Sequence, residues 1–148
     1  MISSIVVGTD GSSTAAIAVA DAIALAQAVG ARLNVVSAYE PVPKGRLRRE
    51  RLKAPADVEW AVNPRQDVVA LLDSIEQDAA AAGVTSVETF ARVGDAADAI
   101  LDVAEEQGSD LIVVGNKGMT GATRFLLGSV PNKVSHHAPC SVLIVRTT

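Results

Sequence analysis

A single cysteine, Cys140, in 148 residues excludes an internal disulfide. Aromatic residues make up only 3% of the chain. The core must therefore come from Ala, Val, Ile and Leu, and few rings are available to stack on a flavin. No uncharged stretch approaches the roughly 18 residues that a bilayer span requires. The opening "MISSIVVGTDG" has neither the basic region nor the cleavage pattern of an export signal. Basic charge is scarce and uneven: the net charge is −4, and six of the 13 basic residues lie between Lys44 and Lys53, with one acid among them. The remainder holds 7 basic and 16 acidic residues. A nucleic-acid-binding domain needs a broad basic face. No nucleic-acid partner and no membrane span are therefore expected, and the expected location is cytoplasmic.

The usual nucleotide motifs are missing as well. No G-x-x-x-x-G-K-[ST] occurs, which excludes a P-loop, and no G-x-G-x-x-G follows the first apolar run, which argues against a dinucleotide Rossmann site. A receiver domain would need an acid after the third strand, and "TFARVG" offers none.

What is present is a repeated phrase. "QAVGARLNVV", "AAAGVTSVETF" and "EEQGSDLIVV" each end a helix-like stretch at a glycine (Gly30, Gly83, Gly108) and enter an apolar run. Glycine just past a helix is a C-terminal stop signal. The strands read "SIVVG", "LNVVSA", "VETFARV", "LIVVG" and "SVLIV". Three are continuous Val/Ile-rich runs, as expected for parallel strands covered on both faces. Between them, Val68, Leu72, Ile75, Ala79 and Ala82 form one helical stripe, and Ala97, Ile100, Leu101 and Ala104 a second. Thr14 to Val29 reads as an Ala-rich first helix, and Ser129 to about His137 as the last, ending before Pro139. The order βαβαβαβαβ predicts an open α/β sheet with right-handed crossovers in a single domain, residues 1–148. Glu40 to Pro64, with four prolines and the basic cluster, predicts a long loop or lid.

In such folds ligands bind beyond the carboxyl ends of the strands, where strand order reverses. Two strand ends carry unusual chemistry: "GTDGSS" after the first, and "GNKGMTGATRFLLGSV", Gly115 to Val130, after the fourth. Gly128-Ser129 opens the last helix, whose N-terminal amides and partial positive charge suit phosphate. Ser129 is a natural N-cap. A phosphate cradle and a plain tight turn with an ordinary cap both remain open on these residues alone. Asp10 is read either as a ligand contact or as a turn former, and Lys117 as a phosphate contact or a solvated side chain. His136, His137 and Cys140 are assigned to surface and packing roles, with no catalytic or metal site expected.

The spacing Gly115-x2-Gly118-x9-Gly128-Ser129, with "IVVGTDGS", "DLIVVGNKG" and "GSVPNKVSHHAPCSVLIVR", resembles the ATP-binding type of the universal stress protein family along the whole chain. The resemblance implies an adenine nucleotide α-hydrolase-like fold: an open, doubly wound, five-stranded parallel sheet, order 3-2-1-4-5, with helices on both faces. It implies that Thr9 and Asp10 line the ribose and adenine side, and that Ala38 meets adenine through its backbone. Val114 and Gly115 would flank the nucleoside, and Lys117, Gly118, Gly128, Ser129 and Val130 would surround the phosphates. Pro131 departs from the small or hydroxylated residue common there and removes an N–H donor, so cyclic AMP fits this reading as well as ATP. Mg²⁺ would accompany the phosphates. The expected function is a nucleotide-holding sensor or sequestering module of the stress response, not an enzyme beyond weak ATP hydrolysis. The alternatives are a slow ATPase in the same pocket and a non-binding scaffold. Homodimerisation through the edge strand Ser141 to Val145 is expected from the same sheet order.

Overall fold

A computed structural model describes residues 1–40, 65–117 and 127–147. The expected lid, its basic run Lys44 to Lys53, and Gly118 lie outside the described residues, apart from Glu40.

Nine elements alternate along the chain: β1 (Ser4–Gly8), α1 (Ser13–Val29), β2 (Arg32–Tyr39), α2 (Arg65–Ala81), β3 (Val87–Val93), α3 (Ala96–Glu106), β4 (Leu111–Gly115), α4 (Ser129–His137) and β5 (Ser141–Val145). The strands are all parallel, in the order β3-β2-β1-β4-β5. Sheet order therefore reverses between β1 and β4, as the resemblance implies.

Local chemistry sets the boundaries. Ser12 caps α1 by accepting the amide of Ala15 at 3.1 Å. Gly30 closes the same helix at φ 70°, a left-handed conformation that side chains resist. Asp95 caps α3 by accepting the amide of Asp98 at 3.0 Å. This bond is the main reason the Asp95 carboxyl lies below its ordinary pKa; desolvation opposes it, and Lys133 adds to the lowering.

Two cores cover the sheet. Ile5, Val7, Leu33, Val35, Leu111 and Val113 meet the buried faces of α1 and α2 on one side. Val6, Val36, Ile112 and Val114 meet α3 and α4 on the other. The α2 stripe buries Val68, Leu72, Ile75 and Ala79, whereas Ala82 falls past the helix end and is exposed. In α3, Ala97, Ile100 and Ala104 are buried and Leu101 is half-buried.

The amino edge of the sheet is closed by a polar network. Asp110 accepts from Ser3 N–H (2.9 Å), Ser3 Oγ (2.8 Å) and Ser4 N–H (3.0 Å), and these bonds lower its pKa. Buried Asn34 donates to Ser4 Oγ at 3.2 Å and to the Ile5 carbonyl at 3.3 Å. That edge is sealed against itself, and the candidate site lies at the carboxyl edge.

Candidate functional site

The chain leaves β1 toward α1 on one face and leaves β4 toward α4 on the other. Two neighbouring strands that part this way open a crevice above their carboxyl ends. The register defines its walls. Gly8 pairs with Val36, and Val7 with Val113, so Thr9 lies level with Ser37 and with Gly115.

The hydrogen bonds fix the backbone direction at both walls. The Val36 carbonyl accepts from Thr9 N–H at 3.0 Å, so Val36 faces β1, while the Tyr39 carbonyl accepts from Gly94 N–H at 2.9 Å on the β3 side. Strand alternation then turns the N–H and C=O of Ala38 toward the β1 side, above the point where β1 has ended. On the far wall, Asn116 N–H donates to the Val145 carbonyl at 2.9 Å. The preceding residue, Gly115, therefore turns its backbone groups toward β1. Ala38 and Gly115 thus present backbone donors and acceptors to one gap from opposite sides.

Thr9 and Asp10 form the floor. Thr9 Oγ1 accepts from Gly11 N–H at 3.1 Å, and the Thr9 carbonyl accepts from Ser37 Oγ at 2.8 Å. Asp10 Oδ1 accepts from Ser12 N–H at 2.9 Å, a side-chain turn that leaves Oδ2 without a hydrogen bond among the described residues. The turn-forming reading of Asp10 is therefore realised, with one carboxylate oxygen still uncommitted.

Gly128 and α4 stand on the β4 side, tied to the residue that follows β4. Here the structure corrects the expected N-cap: Gly128, not Ser129, occupies that position, with φ −63° and ψ 167°. Its carbonyl accepts from Asn132 N–H at 3.1 Å, and its amide donates to the Asn116 carbonyl at 2.9 Å. That second bond holds Gly128 extended and places Ser129 inside the helix. Gly128 has no side chain to cap the first turn, and Pro131, buried at the third helical position, has no N–H. The amides of Ser129 and Val130 are the donors left at this end.

Some glycines make room for the protein itself. A Cβ at Gly8 would sit 2.3 Å from Ile100 Cδ1, and one at Gly115 would sit 3.2 Å from Thr147 Cγ2. Ser37, Asn116 and Thr147 were missed by sequence reasoning, and no local pattern marks them. Val114 is buried in the α3/α4 core, and Lys117 is half-buried. His136 and His137 are exposed on the last turn of α4, where positive charge suits the helix dipole. Cys140 packs against the α3/α4 core, as Val142 and Ile144 do, and desolvation raises its thiol pKa. Among the described residues no three His, Cys, Asp or Glu side chains gather as a metal site, and no helix is long and apolar enough to cross a membrane.

The family model for universal stress proteins matches residues 1–146. The chain belongs to the universal stress protein family. It is 40% identical over 149 residues to a universal stress protein of Thermus aquaticus, covering 99% of this chain and 100% of that one. It is 39% identical over 144 residues to one of Mycobacterium tuberculosis, covering 97% and 96%. Among solved structures, a universal stress protein in complex with cAMP is 35% identical over 99% of both chains, with a TM-score of 0.74. UspA from Lactobacillus plantarum is 25% identical over 98% of both chains, with a TM-score of 0.77. The sheet order and the split between β1 and β4 are thus those of a universal stress protein fold.

Proposed function

We propose that this universal stress protein holds an adenine nucleotide over the end of β1 and acts as a regulatory sensor or sequestering module. The observation that carries the reading is the convergence of the Ala38 and Gly115 backbone groups on the gap above Gly8, with the uncapped start of α4 beside it. The cAMP complex of a 35%-identical neighbour supports an adenine ligand. Ala38 would read the adenine edge through its backbone. Thr9 and Asp10 would take the ribose side, with Asp10 Oδ2 accepting from a sugar hydroxyl. Val114 and Gly115 would flank the nucleoside. Ser129 and Val130 amides, with Gly118, Gly128 and Lys117, would receive the phosphate.

Two first-turn amides suit one phosphate group better than three. Pro131 withholds the next donor, which favours a cyclic or short phosphate such as cAMP over ATP. If ATP binds, Mg²⁺ would be held mainly by its phosphates and water.

Catalysis has less support than binding. In-line hydrolysis needs a positioned water and groups that stabilise the developing charge. Asp10 commits Oδ1 to its own turn. Contacts that bind ground and transition states alike do not accelerate chemistry, so turnover should lie well below the roughly 10 s⁻¹ typical of enzymes. A second copy would pair at β5, one of the two edge strands of the sheet. Extraction of ligand from the purified protein, identified by mass, tests the reading: cAMP, AMP or ATP is expected, and protein that neither carries nor takes up any adenine nucleotide would refute it.

A further inference from the structure

Asn116 is the first residue beyond β4, and it bonds to two other segments, the start of α4 and the end of β5 with the residues after it. Its amide donates to the Val145 carbonyl at the end of β5 at 2.9 Å. Its carbonyl accepts from Gly128, the N-cap of α4, at 2.9 Å. Its side-chain Oδ1 accepts both Thr147 N–H and Thr147 Oγ1, each at 2.9 Å. Thr147 is itself buried and lays its methyl against Gly115, where an added Cβ would come within 3.2 Å. The residue leaving β4, the residue entering α4 and the residues following β5 are therefore fixed by one asparagine.

The consequence is geometric. Ser129 and Val130 can serve a phosphate only if the first turn of α4 keeps its height and direction above the sheet. Side-chain packing of α4 comes from buried Pro131 and Val134, with Val130 partly buried against the same core. Those contacts hold the nine-residue helix against the sheet face, and the Gly128–Asn116 bond ties the residue that enters its first turn to the end of β4. Asn116 can hold that carbonyl in place because its own side chain is anchored twice on Thr147.

We propose that Asn116 and Thr147 form a positioning clamp that aims the first turn of α4 at the ligand phosphate. The proposal rests on the adenine-nucleotide reading above. Neither residue touches the ligand; both act through Gly128. The clamp should therefore matter for phosphate and not for adenosine. A misplacement of one ångström at the donors is enough to lose much of a phosphate contact, since charge-assisted bonds depend on short, aligned geometry.

The test is a set of competition titrations with cAMP, ATP and adenosine on the full chain, wild type against Asn116→Leu, Thr147→Val and Thr147→Ser. Thr147→Val keeps the shape against Gly115 and removes one donor, so it serves if Asn116→Leu fails to fold. Affinity for cAMP and ATP should fall about tenfold in Asn116→Leu and about threefold in Thr147→Val, while adenosine stays within about twofold and Thr147→Ser behaves as wild type. Amide exchange at Gly128 should accelerate in the first two variants without ligand. Equal losses for adenosine and the phosphates, or unchanged phosphate affinity, would overturn the clamp while leaving the nucleotide reading intact. Wild-type protein that binds none of the three ligands would defeat the nucleotide reading, and the clamp with it.

Discussion

Ser37 donates its hydroxyl to the backbone carbonyl of Thr9 at 2.8 Å, and so ties the turn that follows β1 to β2 one residue before Ala38. The bond crosses the floor of the crevice and fixes how far Thr9 and Asp10 stand from the Ala38 backbone. Ser37 is 2% exposed.

Replacing Ser37 with Ala removes the donor and strands the Thr9 carbonyl. A cost of about 1–2 kcal/mol is expected in urea unfolding. Adenine-nucleotide affinity should fall as well, because the floor loses its tether. A stability loss with affinity unchanged would show that the Thr9 turn does not shape the site.

Gly8 and Ile100 form the second structural test. A Cβ at Gly8 meets both Cδ1 (2.3 Å) and Cγ1 (2.8 Å) of a buried isoleucine, so the Ile100 side chain, or α3 with it, must give way. Gly8→Ala should destabilise by about 1–3 kcal/mol through overpacking. The double variant Gly8→Ala/Ile100→Ala should cost less than the two single variants added together, since the second change vacates the space the first demands. Strict additivity in denaturant melts would contradict the predicted contact.

At the sheet edge, the Val145 carbonyl bonds to Asn116 and therefore faces β4. Alternation makes the Leu143 backbone face β4 too, and turns Ile144 outward. Proline at 143 would break the fold's own ladder, whereas Ile144→Pro removes only an outward N–H, the one place a strand tolerates proline. If β5 pairs with a second copy, Ile144→Pro should yield a folded monomer by light scattering at micromolar concentration. A wild-type monomer under those conditions would rule out the edge dimer.

Lys133 of α4 bonds Asp98 at 2.9 Å and Asp95 at 3.3 Å, joining α4 to the start of α3. The Lys133 pKa is raised, by its bond to Asp98 first, and the Asp95 pKa is lowered, by the Asp98 amide first and then by Lys133. A carboxylate with a depressed folded-state pKa stabilises the fold above its unfolded value and loses that contribution as pH falls through the folded one. The loss should therefore occur below 3.8, the ordinary value for Asp. Lys133→Met should show a smaller drop in stability between neutral pH and pH about 3 than wild type. All three side chains are well exposed, so the effect should be small and weakened by salt. An unchanged pH profile would mean that the pair contributes nothing in solution.

Much of the scaffold is legible in the sequence because its causes are local. The runs at Ile5 to Val7 and Leu111 to Val114 are apolar on both faces, which only a strand buried on both sides requires. Gly30 and Gly108, at φ 70° and 58°, sit where a helix must reverse its backbone. The sheet order came from the family resemblance, since "LIVVG" and "SVLIV" read alike although one is central and the other an edge. The misplaced cap has a long-range cause. Serine is the better cap by propensity, but the Asn116 carbonyl, 12 positions away in the chain, captures the Gly128 amide and moves the boundary back by one. Ser37 with Thr9, Ile100 with Gly8, and Thr147 with Asn116 are likewise meetings between distant segments, and no periodicity foretells them.

The most direct measurement is calorimetric titration of cAMP and ATP into the wild-type protein and into Gly128→Val, with GTP as the control ligand and circular dichroism as the fold control. Gly128 has an extended backbone that valine can adopt, so the variant should stay folded while its side chain intrudes on the phosphate position. The account predicts saturable adenine-nucleotide binding to wild type, weak or no response to GTP, and at least about a tenfold loss in Gly128→Val. Equal affinity of the folded variant and wild type for cAMP and ATP, or no binding of either ligand to wild type, would contradict it.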